Sequence, residues 1–178
     1  MLDSLYQTLF HPRAALLPLS MGSSWALLLL LSITGGLSWA GKLGLGGAGA
    51  VMLTLCFLGL YLIVWFCFSA ATSLLAQLME GKGSGPATME TVTPALWPAL
   101  LFGPLTALGQ HFERLAGVLE FVVAVWILVG LVRAIAQVHG LSLGKAALCV
   151  LGACALAFFG LGALLGAPVL LLALVVAS

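Results

Sequence analysis

Charge is what this sequence lacks most. Six Lys and Arg and five Asp and Glu are its entire charged inventory over 178 residues. A soluble domain of that length would hold roughly 45 such residues, about a quarter of the chain. Neither a hydrated surface nor a disordered polymer can be assembled from so few polar groups. The net charge of +1 offers no basic field to a nucleic acid. Cysteine is sparse as well. Cys56, Cys67, Cys149 and Cys154 all lie in apolar runs, with no C-x-x-C spacing. That argues against a zinc site or redox dithiol and for small hydrophobes. What is present instead is 63% hydrophobic residues and a mean hydropathy of +1.26. The class that remains is an all-α polytopic membrane bundle, one domain over residues 1–178.

The chain opens with Leu2, Leu5, Tyr6, Leu9 and Phe10 on one helical stripe. This predicts an amphipathic helix over 1–12, stopped by Pro12, either interfacial or packed on the end of the bundle; the interfacial placement is adopted. Arg13, the Leu27–Leu31 run and the small residues Ser38 and Ala40 imitate a signal peptide. The region before the apolar core is too long for one, so an uncleaved first span is expected.

Five spans are predicted, at about 25–40, 51–78, 94–108, 116–138 and 145–177. The first has Trp25 and Trp39 roughly 21 Å apart, near opposite interfaces, and Gly35 and Gly36 for close helix approach. Residues 79–93 read as the most polar loop, with Thr93 capping a third span kinked at Pro98 and Pro104. The fifth run is too long for one crossing and too short for two, so a break near Pro168 is expected. Arg13, Lys82, Arg133 and Lys145 fall on the N-terminal side and Lys42 and Arg114 on the other. The positive-inside rule then favours a cytoplasmic N-terminus, with the protein in a bacterial inner membrane.

Few residues are left for chemistry. Gly81-Lys82-Gly83-Ser84-Gly85 superficially suggests a phosphate loop, but Ala76 stands where the first glycine is required and Gly83 where Ser or Thr is. A flexible loop is expected. A Ser84–His139 hydrolase fails because Ser84 lies in a polar loop with no oxyanion site. Glu120, about one turn inside span four, is costly in lipid unless paired, protonated or near water. It shares a helix face with Glu113, Gly117 and Ala124, with Arg114 or His111 as partners in the turn. This predicts either a proton- or ligand-sensing group or a structural hydrogen bond. Arg133, roughly 20 Å along the same helix, is expected to snorkel to headgroups, with anionic-lipid binding as the sharper alternative. The candidate residues are therefore Glu120, Glu113, Arg114, Arg133 and His139. No catalytic set, cofactor fingerprint or metal-ligand cluster is apparent.

The stretch from Leu131 to Ala146, with Arg133, Gln137 and then His139-Gly140-Leu141-Ser142 before Lys145-Ala146, resembles the segment joining the last two spans of prokaryotic Yip1-domain proteins. Glu90-Thr91-Val92-Thr93-Pro94 through Pro104 is similar to their proline-bearing third span, and Phe10-His11-Pro12-Arg13 fits their opening. The Asp-Leu-Tyr-Gly-Pro motif of eukaryotic members is missing, and so is their long N-terminal region. Their GTPase-linked trafficking role is therefore not implied. The resemblance implies a compact five-span membrane protein without catalytic residues. A non-enzymatic scaffold or assembly subunit is expected, with membrane lipids, further copies of itself or other membrane subunits as partners. A transporter or channel component for a small or apolar substrate is the alternative.

Overall fold

The computed structural model describes residues 21–109 and 111–177, with side chains described over 24–109, 111–160 and at 162. The expected helix over 1–12 lies outside the described residues. Six α-helices follow: α1 (Met21–Lys42), α2 (Gly47–Leu78), α3 (Gly85–Ala95), α4 (Phe102–Gly109), α5 (Glu113–His139) and α6 (Leu143–Ala177). A 3-10 segment, Trp97–Leu101, links α3 to α4. No strand occurs among the described residues. Since α3, the 3-10 segment and α4 form one path over Gly85–Gly109, five segments among the described residues are long and apolar enough to cross a bilayer. Five crossings agree with the expected count, and the physical cause is shared. Lipid offers no partner for a free peptide group, so each apolar run must close its hydrogen bonds as a helix.

The third crossing begins earlier than expected. Ser84 caps α3, its Oγ accepting the Ala87 N–H at 3.4 Å, and Pro86 occupies the first turn, where no backbone donor is needed. The threonines in the second half of this stretch, read with it as part of a polar loop, turn their hydroxyls inward along the helix. Thr88, Thr91 and Thr93 donate to the carbonyls of Ser84, Ala87 and Met89 at 2.8–2.9 Å. Thr93 is therefore no cap; it lies inside the helix and accepts the indole N–H of Trp65 at 3.2 Å. The helix tightens to 3-10 geometry at Pro98, as expected of a chain that has lost backbone donors. Pro168, expected to break the last crossing, lies within the single helix α6. One proline removes one bond of the ladder, and the flanking turns continue the element past it.

Packing begins between α1 and α2. A Cβ on Gly36 would lie 2.6 Å from Thr54 Cα, so the two backbones are nearly in contact. This is the close approach its small size was expected to allow. The core centres on Trp65 and Phe68 of α2, Val92 of α3, Ile135 of α5 and Val150 of α6. Trp25 meets Trp65 edge-on at 6.2 Å. A smaller cluster joins Leu27 and Leu31 to Trp97.

Helix α2 ends in a paired turn. The Gly81 N–H reaches Ala76 O at 2.8 Å and the Glu80 N–H reaches Gln77 O at 3.0 Å, the Schellman arrangement. Glu80 supplies the left-handed residue at φ 69, a conformation that costs a side chain about 1–2 kcal/mol. Its exposed carboxylate lies 4.0 Å from Lys145 Nζ, a contact too solvated to offset that strain. Glu80→Gly is therefore expected to stabilise the protein by about 0.5–1 kcal/mol. Thermal unfolding in mild detergent checks this, as a rise in Tm over the parent.

Candidate functional site

One group of polar residues converges on a single place in the bundle. They gather where the C-terminal ends of α2 and α5 meet the beginnings of α3 and α6. His139 closes α5 and is 1% exposed. It is buried because the chain reverses directly after it, with Gly140 at φ 64 and the Leu141 N–H bonded to Ala136 O at 3.0 Å. The loop 79–84 wraps the imidazole. Lys82 N–H donates to the His139 carbonyl at 3.1 Å, which answers one of the orphan carbonyls of the helix end.

The side chain has one partner. His139 Nε2 lies 2.9 Å from Thr88 Oγ1, and that hydroxyl lies 2.9 Å from Ser84 O. A threonine has one proton to give. Directed at the Ser84 carbonyl, it leaves a lone pair for Nε2–H. The chain of bonds therefore selects the neutral tautomer with hydrogen on Nε2. His139 Nδ1 has no hydrogen-bond partner, and in this tautomer it is a bare lone pair, so no buried donor is stranded. It faces glycine backbone: a Cβ on Gly83 would fall 2.8 Å from Nδ1, and one on Gly81 would fall 3.1 Å away.

Around this centre, Lys145 Nζ reaches the Met79 carbonyl at 3.4 Å and Cys149 Sγ lies 3.6 Å from Met79 Sδ. Together these contacts staple the first turn of α6 to the end of α2. The glycines of the loop, read as flexibility in the sequence, are positions where the loop touches α5. Chemically, the arrangement can hold five segments together and orient one imidazole. The hydroxyl against the ring, that of Thr88, sends its proton to the Ser84 carbonyl and accepts from Nε2–H, so the imidazole is not placed as its base, and no three His, Cys, Asp or Glu residues gather as metal ligands among the described residues.

The other candidates lie elsewhere. Glu113 and Arg114 are exposed in the first turn of α5, where the Glu113 carboxylate complements the helix dipole. Glu120 is half-buried two turns into α5, and among the described residues no hydrogen bond or ion pair reaches its carboxylate. Arg133 is exposed six residues before His139, about 9 Å along the helix. The structure thus places Glu113, Arg114 and Glu120 toward one end of α5 and Arg133 and His139 toward the other. Thr88, Gly81 and Gly83 belong with His139 and were missed. The available signal was Ser84-Gly85-Pro86 as a helix start, which would have placed Thr88 one turn inside a helix beside the loop.

The family model described as Yip1 domain matches residues 6–164. No curated protein and no solved structure matches the chain.

Proposed function

The chain belongs to the Yip1-domain family and is an integral membrane protein, and from that premise we propose that it serves as a non-enzymatic scaffold or assembly subunit within the bilayer. One observation carries this reading: Ser32 and the buried threonines are engaged with the protein itself, and the buried hydroxyls left without a partner among the described residues, those of Ser24 and Ser69, are isolated single groups on α1 and α2. Ser32 and Thr72 donate to Leu28 O and Phe68 O, both at 2.6 Å. Thr93 bonds Met89 O and Trp65, and Thr88 bonds Ser84 O and His139. Hydroxyls so engaged line no hydrophilic path. The outer faces, by contrast, present large apolar side chains such as Met52, Phe66, Leu78, Phe121 and Phe158, which suit lipid and neighbouring helices. On this reading the partners are membrane lipids and either further copies of the chain or other membrane subunits. The membrane is a bacterial inner membrane, with the His139 end and the N-terminus on the cytoplasmic side.

The expected result is assembly. Protein extracted directly from membranes into lipid nanodiscs, without a delipidating step, should have a particle mass of two or more copies, or of one copy with a stoichiometric partner. A uniformly monomeric particle at membrane-like protein density would overturn the proposal. The broken third crossing favours a second reading, a transport component for a small or apolar substrate, because interrupted helices recur at transport sites. Solute uptake into vesicles containing the purified chain alone is the result that would favour it.

A further inference from the structure

At the opposite end of the bundle from His139, α1 and α4 meet where a Cβ on Gly103 would lie 3.6 Å from Thr34 Cβ, and they diverge from there toward Lys42. Gly36 holds α1 against α2 on one side, and on the other a cavity of about 400 Å³ opens. Its lining includes Thr34, Ser38, Gly41, Lys42, Gly103 and Thr106. Gly41 and Gly103 present no side chains to it; at Gly41 nothing lies within 4 Å of where a Cβ would be. The size falls within the range of small-molecule sites, about 300–1,000 Å³.

The chemistry of the cavity is graded along α1. Lys42, the last residue of α1, stands at its mouth, with Nζ held 5.2 Å from the centre of the Trp39 ring. An indole beside a lysine at a helix end marks headgroup depth. Thr34 lies eight residues deeper, roughly 12 Å by helical rise. Its hydroxyl already donates to Leu30 O at 3.0 Å or Leu31 O at 3.1 Å, so it offers no free donor, and the rest of the wall sets the Ser38 and Thr106 hydroxyls among Leu37, Pro104 and Ala107. A cationic mouth over a largely apolar throat matches an amphiphile with a negative head. A free anion would leave the throat empty, and an uncharged lipid would leave Lys42 unanswered.

We propose that this groove holds one anionic phospholipid, with its phosphate against Lys42 and the upper part of one acyl chain along Gly103 and Pro104. The site is separate from the His139 junction and does not depend on whether the chain assembles.

Native mass spectrometry of the detergent-purified full chain, titrated with phosphatidylglycerol or phosphatidylcholine, tests the assignment. Phosphatidylglycerol should be retained about fivefold more strongly, the factor that one lysine contributes near an anionic surface. Lys42→Gln, at an exposed position, should remove that preference. Gly41→Leu, whose Cβ would have no atom within 4 Å, puts a branched side chain at the groove and should lower retention of both lipids. Equal retention by the parent protein, or a preference that survives Lys42→Gln, would overturn the proposal. So would displacement of the lipid by equimolar inorganic phosphate, which would mark a simple anion site.

Discussion

His139→Ala should destabilise the detergent-solubilised protein by about 2–4 kcal/mol, the cost of truncating a large, fully buried side chain whose surroundings cannot collapse. Collapse is prevented by what surrounds the ring. The Gly81 and Gly83 backbone already lies against it, the Lys82 N–H is tied to the His139 carbonyl, and Thr88 is anchored to Ser84 O. Removing the imidazole leaves a void bounded by backbone. His139→Gln should recover part of the loss, since its amide can donate toward Thr88 Oγ1 and fill some of the volume. The coupling with Thr88→Val should be about 1 kcal/mol, the net value of one buried hydrogen bond. Chemical denaturation or steric trapping in mild detergent measures the parent, the three single variants and the double variant on one scale. A His139→Ala variant within 0.5 kcal/mol of the parent, on the scale of ordinary surface substitutions, would show that the junction does not hold the loop.

His139 also shows what could be read in the sequence and what could not. The five crossings were legible because the bilayer permits almost nothing else for long apolar runs. The Gly35-Gly36 approach was legible because close helix packing in lipid selects residues without side chains. The start of the third crossing was not. Thr88, Thr91 and Thr93 look like loop residues by composition, yet each satisfies its hydroxyl on the carbonyl four residues back and is buried. A hydroxyl bonded in this way makes the helix no more polar to its neighbours than a small apolar side chain. Composition cannot distinguish that from an exposed threonine. The candidate site was half legible. His139 drew notice as the possible base of a Ser84 pair that the loop ruled out, but its actual partner, Thr88, lies some 50 residues away in sequence. Glu120 drew more notice because a carboxylate in an apolar run is costly anywhere. The fold leaves it half-buried on α5, away from the polar junction. The lipid groove was invisible, because a cavity between two helices arises from their divergence and not from any residue pattern.

That divergence depends on Gly36, and substitution there should have an effect opposite in sign to the one helix propensity predicts. Alanine is favoured over glycine inside a helix by about 0.8–1 kcal/mol, so Gly36→Ala would stabilise α1 in isolation. In the folded chain the new Cβ would stand 2.6 Å from Thr54 Cα and 2.8 Å from Thr54 N, and would also press on Thr54 Oγ1. Two of these three atoms are backbone, so no rotamer change relieves the contact and Thr54→Ala could not rescue it. The helices must separate, and the net result should be a loss of about 1–3 kcal/mol, the usual cost of overpacking. Gly35→Ala is the internal control. Its Cβ would meet the Phe57 ring at 3.4 Å and the Tyr61 hydroxyl at 3.5 Å, ordinary contacts with side chains that can shift, so the propensity gain should survive. The two substitutions change the same atoms in adjacent residues of one helix, so differences in the unfolded reference largely cancel. Thermal unfolding in a single detergent should rank Gly35→Ala at or above the parent and Gly36→Ala below it. If Gly36→Ala unfolds at the same temperature as Gly35→Ala, α1 and α2 are not in backbone contact at this point. Nothing would then draw α1 away from α4, and the groove between them would have no mechanical basis.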